Sequence, residues 1–243
     1  IIDFCAKHDY SFKFKDNEYY GIPFEINEGI SYAGVKDYMH SICSHPPRKY
    51  QVEGVYDALR HNRKLLISPT ASGKSLMIYS LVRYYVDKGQ KILLVVPTTS
   101  LVEQMYKDFL DYGWDADSYC HRIYSGKERT NENPVTITTW QSVFRMEKSF
   151  FKDYDVVIGD EAHLFKSKSL VSIMTKLEHA KYRFGFTGTL DGTQTHKWVL
   201  EGLFGPSYKV TKTEELMKQG YLSQLHIQCI VLKHQEQKFE TYQ

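Results

Sequence analysis

Short apolar runs alternate with amphipathic segments along most of the chain, in the pattern of strands that alternate with helices. Runs that are apolar throughout are typical of parallel strands, because helices cover both faces of such a sheet. The fold class that we predict is therefore α/β, with a mostly parallel, doubly covered sheet. The predicted strands are residues 65–67, 91–96, 121–124, 135–138, 156–159 and 182–187.

Apolar positions at helical spacing predict helices between these strands. The predicted helices are residues 73–87, 100–112 and 169–180. Gly89 is the expected stop of the first of them, since glycine readily adopts the left-handed conformation that often follows a helix. The polar motifs described below follow the carboxyl ends of predicted strands, which is where ligands bind in open α/β sheets.

Residues 1–45 contain no motif that indicates a particular chemistry. We predict that they form a small N-terminal appendage with a short helix around Phe4, an alternating segment at 11–14 and an amphipathic helix near 32–43. The main domain is expected to span residues 46–225.

One segment predicts a phosphate-binding loop, the run S-P-T-A-S-G-K-S at 68–75, between a strand and an apolar-periodic helix. Gly73 allows a tight turn that directs backbone N–H groups at a phosphate, and Lys74 adds a positive charge. The Ser75 hydroxyl is placed to bind a magnesium ion between the β- and γ-phosphates. ATP and Mg²⁺ are therefore the expected cofactors. The remaining loop residues expected around the phosphates are Pro69, Thr70, Ala71 and Ser72.

The loop departs from the usual pattern in one position, because Ser68 stands where glycine is common. The alternative is a plain turn between strand and helix, with Lys74 in solvent. A lysine in the first turn of a helix opposes the helix dipole unless an anion is bound, which favours the phosphate-binding interpretation.

A second motif follows the apolar strand at 156–159, where two adjacent carboxylates and a histidine form D-E-A-H at 160–163. In ATPases with a phosphate-binding loop, Asp160 would hold magnesium through water and Glu161 would polarise the attacking water. His163 would sense the γ-phosphate. The alternative is that the acids only cap the next segment, and that alternative loses weight beside the loop at 68–75.

The chain resembles the first motor domain of a superfamily 2 helicase or translocase with a DEAH-type box, since four further segments occur in the expected order. They are R-K-Y-Q at 48–51, P-T-T-S-L-V-E-Q at 97–104, T-T-W-Q-S at 138–142 and T-G-T-L at 187–190. The resemblance implies a RecA-like fold with catalytic residues Lys74, Asp160, Glu161 and His163. It also implies that Arg48 and Gln51 lie near the adenine base.

The same resemblance assigns residues to nucleic acid and to coupling. Residues expected to contact a strand are Pro97, Thr98, Thr99, Thr139, Trp140 and Gln141. Residues expected to couple the nucleotide and nucleic-acid sites are Thr187, Gly188 and Thr189. Taken singly, each of these segments has an ordinary structural alternative, such as a helix cap after the strand at 91–96 or a turn at 187–190.

A narrower resemblance is to the UvsW helicases of tailed phages, through V-P-T-T-S-L-V-E-Q-M, T-W-Q-S-V and F-G-F-T-G-T-L-D-G. It implies an ATP-dependent DNA helicase that acts on branched DNA, namely R-loops, Holliday junctions and stalled forks, in phage recombination, replication and repair. Alanine at position 162 also suits the motor subunits of restriction enzymes. A module that uses nucleotide only to gate nucleic-acid binding is the alternative outside the enzymes.

Composition changes this picture little. A net charge of +2, from 31 basic and 29 acidic residues, neither indicates nor excludes nucleic-acid binding. Cys5, Cys43, Cys120 and Cys229 lack the spacing of a zinc site or a disulfide framework. No apolar run approaches the roughly 20 residues that span a bilayer. We expect a cytoplasmic monomer without a membrane partner.

Superfamily 2 motors hydrolyse ATP between two RecA-like domains, and the second domain supplies arginines that stabilise the transition state. Residues 226–243 are expected to begin a linker to such a second domain. On that expectation the 243 residues are the ATP-binding part of a longer helicase, binding ATP weakly and hydrolysing it poorly by themselves.

Overall fold

The computed structural model describes residues 5, 8–11, 26–124, 132–164, 167–189, 194–223 and 228–229. The predicted strands are confirmed to within a residue or two at each end, and one short strand is added after them. The strands are β1 Arg63–Ile67, β2 Ile92–Val96, β3 Cys120–Ile123, β4 Val135–Thr139, β5 Val156–Gly159, β6 Tyr182–Thr187 and β7 Ser207–Lys209.

Helices connect these strands, and a 3₁₀ turn at Ala162–Leu164 follows β5. The longer helices are α1 Tyr32–Ile42, α2 Lys49–His61, α3 Lys74–Val86, α4 Thr99–Asp111, α8 Ser167–Lys176 and α9 Gln194–Phe204. The short ones are α5 Ala116–Tyr119, α6 Trp140–Val143, α7 Lys148–Phe151 and α10 Thr213–Lys218.

The described strands form one parallel sheet in the order β3-β4-β2-β5-β6-β1-β7. Parallel pairing places all carboxyl ends at one edge, so the loops that follow β1, β2, β4, β5 and β6 emerge side by side. The register fixes the neighbours, for example Val96 beside Thr139 and Ile67 beside Thr187. The predicted α/β class with a RecA-like sheet is confirmed.

Alternate residues of the central strands point to opposite faces, as a pleated strand requires. On one face, Leu66 and Leu94 belong to the first core, which α1 to α4 cover. On the other face, Leu65 and Leu93 belong to the second core, which α6 to α9 cover. Both faces of the sheet are therefore shielded from water, which explains why the central strands β2 and β5 are apolar throughout.

Helix α1 packs on the main domain rather than apart from it. Its Val35 and Met39 are buried in the first core. The Tyr79 hydroxyl donates to the carbonyl of Ile42 at 2.9 Å, and Tyr38 donates to Asp87 at 2.7 Å. The predicted boundary at residue 45 stays a prediction, but α1 contributes to the same core as α2 and α3.

Some predicted elements differ from the observed ones. The helix expected at 169–180 spans Ser167–Lys176, because a turn that brings Ala180 into the second core follows it. The first helix ends at Val86, and Gly89 has the left-handed φ of 72° expected of it. The predicted helix at Phe4, the alternation at 11–14, Leu190 and most of 226–243 lie outside the described residues.

No helix among the described residues is long and apolar enough to cross a membrane.

Candidate nucleotide site

The loop between β1 and α3 forms a concavity that suits a phosphate group. Ala71 and Gly73 both have left-handed backbone conformations, with φ of 61° and 78°. This alternation turns successive N–H groups to one side. Gly73 has no side chain that could cap α3, so the N–H groups of the first helical turn remain available to an anion.

Two serine hydroxyls close the loop on itself. Ser72 donates to the carbonyl of Pro69 at 2.6 Å, so the Ser68 hydroxyl, 2.6 Å from that of Ser72, is the donor between the two. Both serines are fully buried. Ser68 therefore has a structural task at the position where glycine is common.

Gln51 in helix α2 holds the loop in position through a hydrogen bond. The Gln51 amide donates to the carbonyl of Ser72 at 3.0 Å and accepts from the N–H of Arg48 at 2.8 Å. A Cβ at Gly73 would lie only 2.3 Å from the Gln51 amide nitrogen, so only glycine fits there. Gln51 is buried and uses part of its hydrogen-bonding capacity to position the loop.

The two motifs expected to act on the nucleotide meet directly. Lys74 Nζ lies 2.5 Å from Glu161 Oε1, in an ion pair that is mostly shielded from solvent. Gly188 closes one side, since a Cβ there would lie 3.5 Å from Lys74 Nζ. The N–H of Ser68 donates to the carbonyl of Thr187 at 2.8 Å. The phosphate-binding loop therefore touches both the D-E-A-H and T-G-T segments.

Asp160 is the most deeply buried acid of the site, with 5% of its surface exposed. Burial, together with the neighbouring charge of Glu161, raises the pKa of Asp160 to about 6, although Lys74 opposes the shift. One of its oxygens accepts the N–H of Glu161 at 2.9 Å. A nearby cation would favour the ionised form of this carboxyl group.

Ser75, the expected second magnesium ligand, is held by α4. Its hydroxyl lies 2.8 Å from that of Tyr112. Burial raises the pKa of Asp108, and a hydrogen bond from Ser75 partly offsets that increase. A serine that donates to Asp108 directs its lone pairs away from that carboxylate, so it can still bind a cation.

The donor set fits Mg²⁺ that arrives with a nucleotide. Within the described parts of the chain, no three His, Cys, Asp or Glu side chains group as a metal site. Mg²⁺ is commonly held by one or two protein ligands together with water and substrate phosphates, which is what Ser75 and Asp160 offer.

His163 links the carboxylates to the strand-end motif after β6. The Thr187 hydroxyl donates to the carbonyl of Thr189 at 2.6 Å, so at 2.7 Å it accepts the Nδ1–H of His163. The same ring nitrogen lies 3.5 Å from Glu161 Oε2. A continuous polar chain therefore connects Glu161 to Thr189.

The residues expected to contact nucleic acid lie at the same edge of the sheet but differ in exposure. Thr98 and Thr99 are exposed at the start of α4, and Thr98 caps that helix by accepting the N–H of Leu101 at 3.3 Å. Gln141 is exposed and donates to the carbonyl of Pro97 at 3.2 Å, which joins the two loops.

Thr139 and Trp140 are less accessible. Thr139 is buried, and its hydroxyl lies 2.8 Å from that of Ser142. Trp140 is half-buried against the second core, where its ring packs near Phe144. Their side chains would have to change conformation to contact a nucleic-acid strand. Their predicted role therefore rests only on where they lie, at the end of β4.

Sequence analysis missed Tyr50, Tyr112 and Asp108, which contact the loop or Ser75. A signal for Tyr50 was available, since it lies inside the R-K-Y-Q segment. Tyr112 and Asp108 lie a full helix away from the motif that starts α4, and only the packing of α4 on α3 brings them to the site.

Residues 44–192 match the model of the type III restriction enzyme res subunit family (ResIII). The matched range begins just before α2 and includes each motif of the site.

Known proteins similar to the chain include DNA helicases and translocases. The ATP-dependent DNA helicase UvsW of Enterobacteria phage T4 is 34% identical over 207 residues, which are 81% of this chain and 41% of that protein. The DNA 3'-5' translocase XPB2 of Sulfurisphaera tokodaii is 27% identical over 85% of this chain and 45% of its own length. The chain thus spans less than half of these curated relatives.

A solved structure with the same fold is the crystal structure of the UvsW helicase from bacteriophage T4. It superimposes with a TM-score of 0.74 at 31% identity, and the match covers 86% of this chain and 76% of that one.

Proposed function

Since the chain belongs to the ResIII family and is a superfamily 2 helicase domain similar to UvsW, we propose that it is the ATP-binding motor domain of a DNA helicase. The observation that carries the proposal is the direct contact of three motifs, in which Lys74 pairs with Glu161 and His163 joins Glu161 to Thr187. A plain turn between strand and helix would not need a largely shielded lysine paired with a carboxylate from the loop after another strand.

The residues divide the work on the nucleotide in a definite way. The loop N–H groups and Lys74 would hold the phosphates, and Ser75 and Asp160 would hold Mg²⁺. Bound ATP supplies the phosphoryl group whose transfer to water releases free energy. Glu161 would orient that water and accept its proton.

The polar chain from Glu161 to Thr189 offers a route by which a change at the nucleotide can reach the loop after β6. Lys74 and His163 both contact the Glu161 carboxylate in the structure. When Lys74 binds a phosphate instead, the Glu161 carboxylate keeps only its contact with His163. A shift of His163 would then change the hydrogen bonds of Thr187, including its bond to the carbonyl of Thr189. We propose that this connection transmits the nucleotide state to the loops that hold DNA.

Thr98, Thr99 and Gln141 are the exposed groups proposed to hold a DNA strand. A helix N-terminus with exposed hydroxyls is a common phosphate contact, and such contacts position a nucleic-acid strand without reading its sequence. Two relatives are named as a DNA helicase and a DNA translocase, which supports DNA over RNA as the partner.

We propose that a second RecA-like domain completes the active site, because relatives extend well beyond the part that this chain matches. Hydrolysis by the 243 residues alone is then expected to be slow. Arginines that stabilise transition-state charge add about a thousandfold or more in related ATPases. We expect the protein to act as a cytoplasmic monomer, in the host cell if a phage encodes it.

Branched DNA is the proposed substrate, in the recombination, replication and repair of a phage. Strand separation should be measured on a forked duplex, a Holliday junction, an R-loop, a linear duplex and an RNA duplex. The helicase that carries both domains is compared with its Lys74→Ala variant. ATP-dependent activity on the first three substrates, lost in Lys74→Ala, supports the proposal. Activity mainly on RNA would contradict it.

The family match favours one second candidate, the motor subunit of a restriction enzyme. Such a subunit hydrolyses ATP by the same chemistry, but it moves along unbranched duplex DNA and leads to DNA cleavage. ATP-dependent cleavage of a plasmid by the protein, with no preference for branched substrates, would support the restriction motor instead.

A further inference from the structure

Arg48, just before α2, has its guanidinium group fixed from two directions. Its Cζ lies 3.9 Å from the centroid of the Tyr221 ring, at the distance of a close cation–π stack. Its Nη1 donates to the Tyr50 hydroxyl at 2.9 Å. A long flexible side chain at a half-exposed position is therefore held in one orientation.

The Tyr50 contact connects Arg48 to the phosphate-binding loop. The Tyr50 hydroxyl accepts from Arg48 and donates to the carbonyl of Ser72 at 3.0 Å. The Gln51 amide donates to that same carbonyl. Arg48 thus lies at a fixed position relative to the loop that would hold the phosphates of a nucleotide.

Tyr221 comes from a distant part of the sequence and is anchored by its backbone. It follows α10, where Gly220 has a φ of 73° and the N–H of Tyr221 donates to the carbonyl of Leu216 at 2.9 Å. Leu216 is buried and Leu222 packs against the first core. The Tyr221 ring itself is 45% exposed, so burial in the core does not account for its position.

We propose that Tyr221 is a positioning residue for nucleotide binding, because it holds the Arg48 guanidinium as a platform on which the purine base stacks. The inference rests on the proposed function, because that function puts a purine nucleotide in the loop to which Tyr50 joins Arg48. Planar guanidinium groups stack well on aromatic rings, and such a group has two faces. Tyr221 covers one face, and the base takes the other.

Comparing the binding of two ligands distinguishes an effect of Tyr221 on the base from a general effect on the nucleotide site. ADP carries both the base and the phosphates, whereas inorganic tripolyphosphate carries only phosphates. A residue that acts on the base changes the affinity for ADP and leaves the affinity for tripolyphosphate unchanged. The tripolyphosphate affinity also reports whether each variant retains a folded phosphate-binding loop.

The experiment measures both affinities by calorimetry for the 243-residue chain and four variants, Tyr221→Ala, Tyr221→Phe, Tyr119→Ala and Lys74→Ala. Tyr119 is a matched control, since its ring is 40% exposed and stacks on Trp114, away from Arg48. We expect Tyr221→Ala to weaken ADP binding roughly 3- to 10-fold, as the loss of a cation–π contact and of the orientation of Arg48 predicts. Tyr221→Phe and Tyr119→Ala should bind ADP like the unaltered chain.

The outcomes distinguish failure of the proposed role of Tyr221 from failure of the proposed nucleotide site. If Lys74→Ala loses both ligands while Tyr221→Ala binds ADP normally, the role of Tyr221 is wrong and the nucleotide site stands. Equal weakening of ADP and tripolyphosphate in Tyr221→Ala would show that the ring only supports the fold. An unaltered chain that binds neither ligand, or Lys74→Ala that binds both normally, would overturn the nucleotide site and the inference with it.

Discussion

Asp160 follows β5, and its carboxyl group is almost fully buried beside the carboxyl group of Glu161. Burial and that neighbour raise the pKa of Asp160 from an ordinary value near 4 to about 6. Ionising this acid in the folded protein therefore costs about 3 kcal/mol, since one pKa unit corresponds to about 1.4 kcal/mol. The chain carries this cost above pH 6 in the absence of a bound cation.

Asp160→Asn is expected to stabilise the metal-free protein at pH 7.5, by an amount up to about 3 kcal/mol. Asparagine keeps an oxygen that can accept the N–H of Glu161, which Asp160 accepts at 2.9 Å. The folded pKa is raised, so the unaltered protein gains stability as the pH falls through 6, and the difference between the two proteins should shrink below that pH. Urea unfolding in EDTA at pH 7.5 and pH 5 measures it. A difference that does not depend on pH would contradict the argument.

Glu161→Gln tests the ion pair with Lys74, whose charged atoms are 2.5 Å apart. Glutamine removes a charge that competes with phosphate for Lys74, so ATP should bind more tightly, by about 2- to 5-fold. The loss of a general base should reduce hydrolysis by about a hundredfold or more. Equilibrium binding and single-turnover hydrolysis by the two-domain helicase measure these effects.

The control for this variant is Glu178→Gln, which breaks a 2.6 Å ion pair with Lys148 outside the site. It should change neither binding nor hydrolysis. Unchanged turnover in Glu161→Gln would contradict the role of Glu161, and nucleotide binding without hydrolysis in the unaltered helicase would favour a module in which nucleotide only gates nucleic-acid binding.

Single residues could be predicted from the sequence only where a motif specifies them. Lys74, Asp160 and Glu161 were predicted from short motifs, and the structure brings them together. Tyr221 and Tyr112 could not be, because their contacts with Arg48 and Ser75 depend on how helices pack.

At the scale of elements, the junction between α9 and β7 shows how the edge of the sheet is built. Gly205 ends α9 with a φ of 113°, and a Cβ there would lie 2.6 Å from the carbonyl oxygen of Arg63 in β1. The next residue, Pro206, accepts the N–H of Leu65 at 3.2 Å. Glycine therefore allows the chain to turn directly against β1 and to begin β7.

Gly205→Ala is expected to destabilise the protein by about 3 kcal/mol or more, since the strain of a left-handed residue adds to a clash with backbone. Gly89→Ala is the matched control, with a φ of 72° and no atom within 4 Å of the added Cβ. It should cost only about 1 kcal/mol. Denaturant unfolding of both variants measures the difference, and equal losses would show that the contact with Arg63 is unimportant.

Strands were easier to predict than the remaining elements. Strands in the middle of the sheet have apolar runs, such as I-L-L-V-V in β2 and V-V-I-G in β5, whereas β7 is the three-residue segment S-Y-K at an edge and has no such pattern. The same is true of α10, which has six residues. Helix α2 was recognised only as a motif, although its buried Val52, Val55 and Leu59 repeat at helical spacing.

At the scale of the whole molecule, the sheet separates two cores and collects the motif loops at one edge. The first core joins α1, α2 and α3 to the strands, so the helix before the family-matched region is part of the support for the nucleotide site. The fold class was predictable because apolar strands and intervening helices leave few alternatives to a doubly covered parallel sheet. The polar chain from Glu161 to Thr189 was not, because it depends on side-chain orientation.

The most direct test of a DNA-driven motor is the rate of ATP hydrolysis by the two-domain helicase with and without forked DNA. The unaltered protein and Lys74→Ala, which lacks the cation beside Glu161, are compared at saturating ATP. The account predicts that forked DNA stimulates hydrolysis and that Lys74→Ala abolishes both the basal and the stimulated rate. Hydrolysis that persists in Lys74→Ala, or that forked DNA does not change, would contradict it.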